Sequence, residues 1–270
     1  HWYFTGGLAF VALTLTVGLS GVSYGQEMIF VGSLAVVLFL MTQLAAALTP
    51  AQARTLFGTA LVIFVFRAVP LPGQGYTWFS IDELGFDEQF LSVLSLITAL
   101  LTLAGILALR PMMAKRSITW IVVALSLAAA VLALPNIGLY YGVQEWTGAR
   151  TGGIVDARFI AILDTAAESP LGQIAMIPML AWIARSAPPA LKATFFAVMA
   201  SFTNLALSAS ALLTKYLNQI FVISREVKDR ASGTIEIPAD YSQLGTLLIV
   251  VAIVSVVVPL LTVWGVQRSA

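Results

Sequence analysis

The chain has 270 residues, 59% hydrophobic and 10% charged, with 14 lysines and arginines against 13 aspartates and glutamates. A soluble domain carries roughly 25% charged residues and a nucleic-acid binder needs a basic surface, so composition excludes both, and a disordered chain with them. With no cysteine and only His1 as histidine, disulfides, thiol chemistry, Cys-metal centres and Ser-His-Asp hydrolysis are excluded as well, and no cofactor is expected.

A mean hydropathy of +0.94 places the chain in a bilayer. A hydrocarbon core about 30 Å thick takes about 20 apolar residues per helix, and the sequence predicts about eight such spans. The first runs from Phe4 to Ser23 and the second from Met28 to Leu48. The third starts near Ala53, passes the Pro70-Leu71-Pro72-Gly73 break and reaches Phe79. Gln89–Leu109 and Ser117–Leu134 are the fourth and fifth. The sixth, Val155–Ala184, is long and interrupted by Pro170 and Pro178. Leu191–Tyr216 and Tyr241–Val266 complete the set. The runs are continuously apolar rather than alternating, which predicts helices and not a barrel. Because the chain starts at His1 and enters an apolar segment almost at once, it is expected to be an N-terminally truncated piece of a longer membrane protein.

Lysine and arginine bias sets the expected orientation. Arg54, Arg110, Lys115, Arg116, Arg185, Lys192 and Arg268 fall in connections that contain no acidic residue. The opposite connections hold Glu27, Asp82, Glu83, Asp87, Glu88 and Glu145. The segment from Phe221 to Asp240 is mixed. Both chain ends are therefore expected in the cytoplasm, with Trp120, Trp182 and Trp264 at the inner interface and Trp78, Tyr140, Tyr141 and Tyr241 at the outer one.

Charges inside a bilayer are costly, so an ionisable residue within a span is a functional candidate. Arg67 lies near the middle of the third span. Asp164 and Glu168, four residues apart, share one face of the sixth. Counting inward places Arg67 and the two acids at similar depth, which predicts an Arg-carboxylate pair across a polar cavity, either as a proton-coupling device or as a structural tie between helices. Arg158 and Lys215 are expected to anchor at the interface, and Asp156 to cap its helix. Helix breaks free backbone groups that hydrocarbon cannot satisfy, and transporters place such breaks beside their binding sites. Gln74 and Tyr76 follow the first break, and Ser169 and Gln173 flank the second. Ala197, Ser201, Asn204 and Ser208 recur at helical spacing on the seventh span; that stripe is expected to let helices approach closely, with Asn204 also within reach of a ligand.

Three stretches carry a family resemblance. PLPGQGYTWFSIDELGFDEQFL (Pro70–Leu91) resembles the seventh helix and following loop of the folate-biopterin transporter family, within the major facilitator superfamily. ILDTAAESPLGQIAMIPMLAWIARSAP (Ile162–Pro188) resembles that family's tenth helix, and KATFFAVMASFTN (Lys192–Asn204) its eleventh. The resemblance implies an all-α integral membrane protein with a facilitator-like helical bundle. Residues 1–50 would then be two helices from the end of the N-terminal half, and residues 51–270 the six-helix C-terminal half. About four preceding helices of the same chain would be missing partners.

The function so implied is secondary active transport, coupled to protons in a symport, of an anionic folate- or pterin-like solute by alternating access. Arg67, Asp164, Glu168, Gln74, Tyr76, Gln173 and Asn204 are the candidate substrate-binding or proton-coupling residues. The expected partners are solute, protons and lipid, with no nucleic acid, and the expected location is a bacterial inner membrane. An intramembrane hydrolase built on Asp164 and Glu168 lacks a central carboxylate from a second helix, so no enzyme is expected. A non-transporting assembly protein on a facilitator scaffold, of the light-harvesting or bacteriochlorophyll-associated type, is the alternative.

Overall fold

The computed structural model describes residues 2–171, 176–187, 192–229 and 232–269. Its elements follow one another as α1 (Trp2–Ser20), α2 (Gly25–Ala45), α3 (Pro50–Arg67), α4 (Gln74–Asp82), α5 (Glu88–Lys115) and α6 (Ile118–Leu132). Then come α7 (Leu134–Tyr140), α8 (Val143–Arg150), α9 (Ala157–Glu168), α10 (Met176–Ser186) and α11 (Lys192–Ile220). A short antiparallel ribbon of β1 (Val227–Lys228) and β2 (Ile235–Ile237) precedes α12 (Leu244–Ser269).

Polar residues between the apolar runs set where helices begin. Thr49 caps α3 reciprocally with Gln52, and Pro50 fills the first turn, where a missing amide costs nothing. Asp87 accepts from Phe90 N at 2.7 Å to start α5, and Ser117 from Trp120 N at 3.2 Å to start α6. Asp156 caps α9 as expected, accepting from Phe159 N at 2.8 Å.

Among the described residues, five segments are long and apolar enough to cross a bilayer: Gly25–Ala45, Glu88–Met113, Ile118–Tyr140, Lys192–Ile220 and Leu244–Arg268. Phe4–Ser20 is a shorter apolar helix. The remaining expected spans are each divided, the third into α3 and α4, the sixth into α9 and α10. The chain is thus an all-α membrane bundle with one small ribbon. Boundaries move: α5 runs past Leu109 to Lys115, and the fifth span continues through α7 to Tyr140, because Pro135 sits in the first turn of α7, where proline is tolerated. That extension brings Asn136 into the bundle.

Lipid tails are as apolar as leucine, so these helices associate through close packing rather than through exclusion of water. Met41, Leu44, Leu56, Ile183, Phe195 and Met199 form the main core among α2, α3, α10 and α11, and Phe64 stacks on Phe202 at 4.8 Å. On α5, Leu96, Leu100, Leu103 and Leu107 make an exposed stripe at helical spacing, the pattern of a lipid-facing side. The other side of α5 meets the second helix break: a Cβ on Gly105 would lie 2.5 Å from Pro170 Cα.

The ribbon is tied to α4 by charge. Arg225 grips Asp82 with two hydrogen bonds, from Nε at 2.9 Å and Nη2 at 2.7 Å, and the Tyr241 hydroxyl donates to the same carboxylate at 2.6 Å. Tyr140 donates to the carbonyls of Tyr241 and Ser242, and Phe79 packs on both tyrosine rings. Arg225 first, and Tyr241 second, hold the Asp82 carboxyl below the usual carboxylate range. A carboxylate with a lowered folded pKa stabilises above its ordinary pKa and loses that contribution as pH falls through the lowered value. Arg225 is partly exposed, so the clasp adds little to global stability and is screened by salt. Its loss should therefore show locally. Proteolysis within residues 226–236 should stay slow at neutral pH and accelerate once the medium is acidic enough to protonate Asp82, and Asp82→Asn should show the acid-state rate at every pH.

Candidate functional site

The first helix break is built around two prolines that cannot donate and a glycine. α3 ends at Arg67, Pro70 and Pro72 interrupt the ladder, and Gly73 takes φ +79°, a conformation L side chains rarely adopt, before α4 begins. The freed backbone is met by one face of α11. Ser210 Oγ donates to Val69 O at 2.6 Å, Leu71 N donates to Thr214 Oγ1 at 2.9 Å, and Asn218 Nδ2 donates to Pro72 O at 3.2 Å. Residues 210, 214 and 218 are four apart and lie in one row along the helix. The second break is held from α5, where Thr102 Oγ1 donates to Ser169 O at 3.0 Å.

Between the breaks lies a cavity of about 430 Å³. Arg67 and Glu168, the last residues of α3 and α9, both line it, together with Pro70, Pro72, Asn136 and Ser210. The rest of the wall is largely leucine, alanine and valine. A mostly apolar hollow with a few convergent polar groups is the usual form of a small-molecule site.

The expected direct pairing of Arg67 with Asp164 or Glu168 does not form. Arg67 Nη1 lies 3.6 Å from Met179 Sδ, and no ion pair joins the guanidinium to either acid. For Asp164 the reason is the direction in which it points. Its Oδ2 accepts from Asn136 Nδ2 at 3.0 Å, and Asn136 Oδ1 in turn accepts from the Tyr76 hydroxyl at 2.5 Å. Asp164 is only 7% exposed, and its Oδ1 is buried with no hydrogen-bond partner. Tyr76, Asn136 and Asp164 thus form a polar chain whose middle member opens on the cavity.

The other candidates are spread out. Gln74 lines a neighbouring cavity of about 670 Å³ with Lys215 and Asn218, and the two cavities share Leu71, Leu207 and Ser210. Asn204 is exposed and faces a separate groove of about 500 Å³ among α1, α2 and α11, with Ser201 and Ser208 beside it. Gln173 lies outside the described residues. Two expected anchors have partners. Lys215 Nζ meets Glu27 Oε1 at 2.6 Å, with Tyr216 donating to the same oxygen, and Arg158 pairs with Asp87 at 3.1 Å.

Sequence reasoning missed Asn136, Ser210, Thr214 and Asn218. The last three had a visible signal, a polar residue every fourth position on a long apolar helix opposite a Pro/Gly break. Replacing Thr214 by valine keeps the shape but removes the acceptor of the Leu71 amide at the exposed edge of the break. It should cost about 0.5–1.5 kcal/mol, read as a lowered thermal midpoint in detergent, whereas Thr214→Ser should stay near wild type.

The sequence model of the BT1 family matches residues 13–268. A folate-biopterin transporter from Synechocystis sp. is 27% identical over 168 residues, which are 61% of this chain and 33% of that protein. The chain therefore spans about a third of the length of the curated relative it matches. No solved structure matches it.

Proposed function

The chain belongs to the BT1 family, and from that membership we propose that it serves in secondary active transport of an anionic, folate- or pterin-like small molecule. The observation that carries this reading is the cavity on which both broken helices end. Arg67 has no carboxylate partner, so its guanidinium is free to take a carboxylate or other anionic group of the solute. The pocket supplies a cation and an apolar wall, which suits a flat ring carrying an acidic tail.

Proton coupling is assigned to Asp164 and Glu168. Asp164 is buried, holds one oxygen on Asn136 and has its other oxygen open to a proton. Glu168 lies one turn further along the same helix and faces the cavity. Solute on Arg67 and a proton on the carboxylates would change the charge of one cavity together, which is the requirement for symport. Residues 51–270 are read as a facilitator-type six-helix unit and residues 1–50 as two helices of the preceding half, working by alternating access. The reading is of a carrier and not an enzyme, in a bacterial inner membrane with the C-terminus in the cytoplasm.

Uptake of labelled folate and of a pterin into proteoliposomes of the full-length protein, with and without an imposed pH gradient, tests the proposal. Arg67→Gln should lower uptake at least about tenfold, the effect of removing one charged hydrogen-bonding partner, and Asp164→Asn should remove the response to the gradient. Wild-type uptake in Arg67→Gln would overturn the site. No uptake of either compound by wild type would favour the assembly-protein alternative. Orientation has its own test, because the chain is free of cysteine. A cysteine at Glu83 should react with a membrane-impermeant maleimide in intact cells and one at Lys115 should not; the reverse pattern would invert the bundle.

A further inference from the structure

The cavity of about 670 Å³ adjoins the one that Arg67 lines, and Leu71, Leu207 and Ser210 belong to the walls of both. Its polar lining comes from α4 and α11. Gln74 and Trp78 are four residues apart and form one row on α4. On α11, Lys215 and Asn218 lie along one face with Ala211, whose side chain is only a methyl group.

Several polar groups of this wall have unused capacity. The Gln74 amide and the Trp78 indole N–H make no hydrogen bond among the described residues. Asn218 Nδ2 donates to Pro72 O at 3.2 Å and to Thr214 O at 2.8 Å, which leaves its Oδ1 as an open acceptor. Sealing the helix break is the structural use such groups would have. That use is already filled by Ser210, Thr214 and Asn218 Nδ2, and Gln74 takes no part in it.

Charge separates the two cavities. Lys215 Nζ meets Glu27 Oε1 at 2.6 Å, and Tyr216 donates to the same oxygen at 2.8 Å. The charge in this wall is thus balanced, and an acidic tail gains little here. Arg67, in the adjoining cavity, has no carboxylate partner. What this cavity offers instead is an indole and two side-chain amides. An amide such as that of Gln74 presents donor and acceptor together, so it pairs with a ring edge that carries the complementary couple. An indole packs against the ring itself.

We propose that Gln74, Trp78 and Asn218 form a subsite for a planar heteroaromatic ring with an amide-like edge, as in a pterin, occupied by the solute on its way to or from Arg67. The choice of ring rests on the transport reading above. The subsite itself rests on the second cavity and its unpaired amides.

The test is protection of a cysteine from a membrane-impermeant maleimide, in the full-length protein with Ala211→Cys as its only cysteine. Ala211 is exposed in the cavity wall. Saturating free pterin should block the labelling, and 4-aminobenzoylglutamate, which has an acidic tail and no pterin ring, should not. Protection should survive Arg67→Gln, which removes the cation of the other cavity. Thr77→Cys, on α4 but outside this lining, should label equally with and without pterin. Gln74→Leu and Trp78→Leu should each raise the half-protecting pterin concentration about fivefold, the worth of one neutral hydrogen bond or one ring contact. Trp78→Phe retains a ring and should stay near wild type. Because Gln74 is exposed, its variant keeps the test decisive where Trp78→Leu fails to fold. A cysteine at 211 that pterin leaves unprotected, or that the tail compound protects equally, would overturn the subsite. So would loss of protection in Arg67→Gln, or an unchanged half-protecting concentration in Gln74→Leu. The two readings fail separately. Protection by pterin in a protein that takes up neither compound sinks transport and keeps the subsite, whereas Arg67-dependent uptake without protection does the reverse.

Discussion

Hydrocarbon offers no hydrogen bonds, so each interruption of a helix here has to be answered by a side chain from another helix. That requirement organises the bundle. The break after α3 exposes carbonyls and an amide that no local residue satisfies, and α11 answers with Ser210, Thr214 and Asn218. The break after α9 is answered by Thr102, and the helices approach closely enough for Gly105 to meet Pro170. The positions of α5 and α11 relative to the broken helices are therefore set by hydrogen bonds at fixed points as well as by packing.

The same constraint explains why charge gathers where the helices break. A helix that stops inside the bundle cannot seal against its neighbours, and the space left is the cavity ending on Arg67 and Glu168. Its polar edge lets those groups stay hydrated, which an intact apolar span would not allow. The Tyr76–Asn136–Asp164 chain then divides the labour between the two acids. Asp164 is buried and anchored, and Glu168 is open to the cavity. Two carboxylates one turn apart are given different surroundings by a single asparagine from α7.

How much of this was legible in the sequence depended on whether a feature is one-dimensional. Apolar length is, so the spans were readable to within a few residues, and proline with glycine marked both breaks. Depth is also one-dimensional, and Arg67 and Glu168 do share a cavity. Rotation about a helix axis is not. Asp164 or Glu168 was expected to pair with Arg67, yet Asp164 faces Asn136, whose place in the bundle was hidden because the fifth span was read as ending at Leu134. On α11 the polar row at Ser201, Asn204 and Ser208 was visible, yet the row that holds the break begins two residues later. Two residues are roughly 200° of rotation, so the two rows lie on nearly opposite faces. Counting small and polar residues cannot say which face meets the broken helix.

The surface pairs and the bonds at the helix breaks differ in strength, and this bears on how the molecule moves. All acidic residues other than Asp164 and Glu168 lie in or beside connections at one end, where four among the described residues pair with bases: Asp82 with Arg225, Asp87 with Arg158, Glu27 with Lys215 and Glu226 with Lys228. Partly exposed pairs of this kind contribute little each and are weakened by salt. The bonds that fix the helix breaks lie within the bundle, where leaving a donor or acceptor unmet costs about 1–3 kcal/mol. A rearrangement that opens the cavity will therefore separate the surface pairs before it disturbs the breaks. On the proposed transport cycle that end would act as a releasable closure, while α11 and α5 hold Arg67, Glu168 and the Asn136 chain in register.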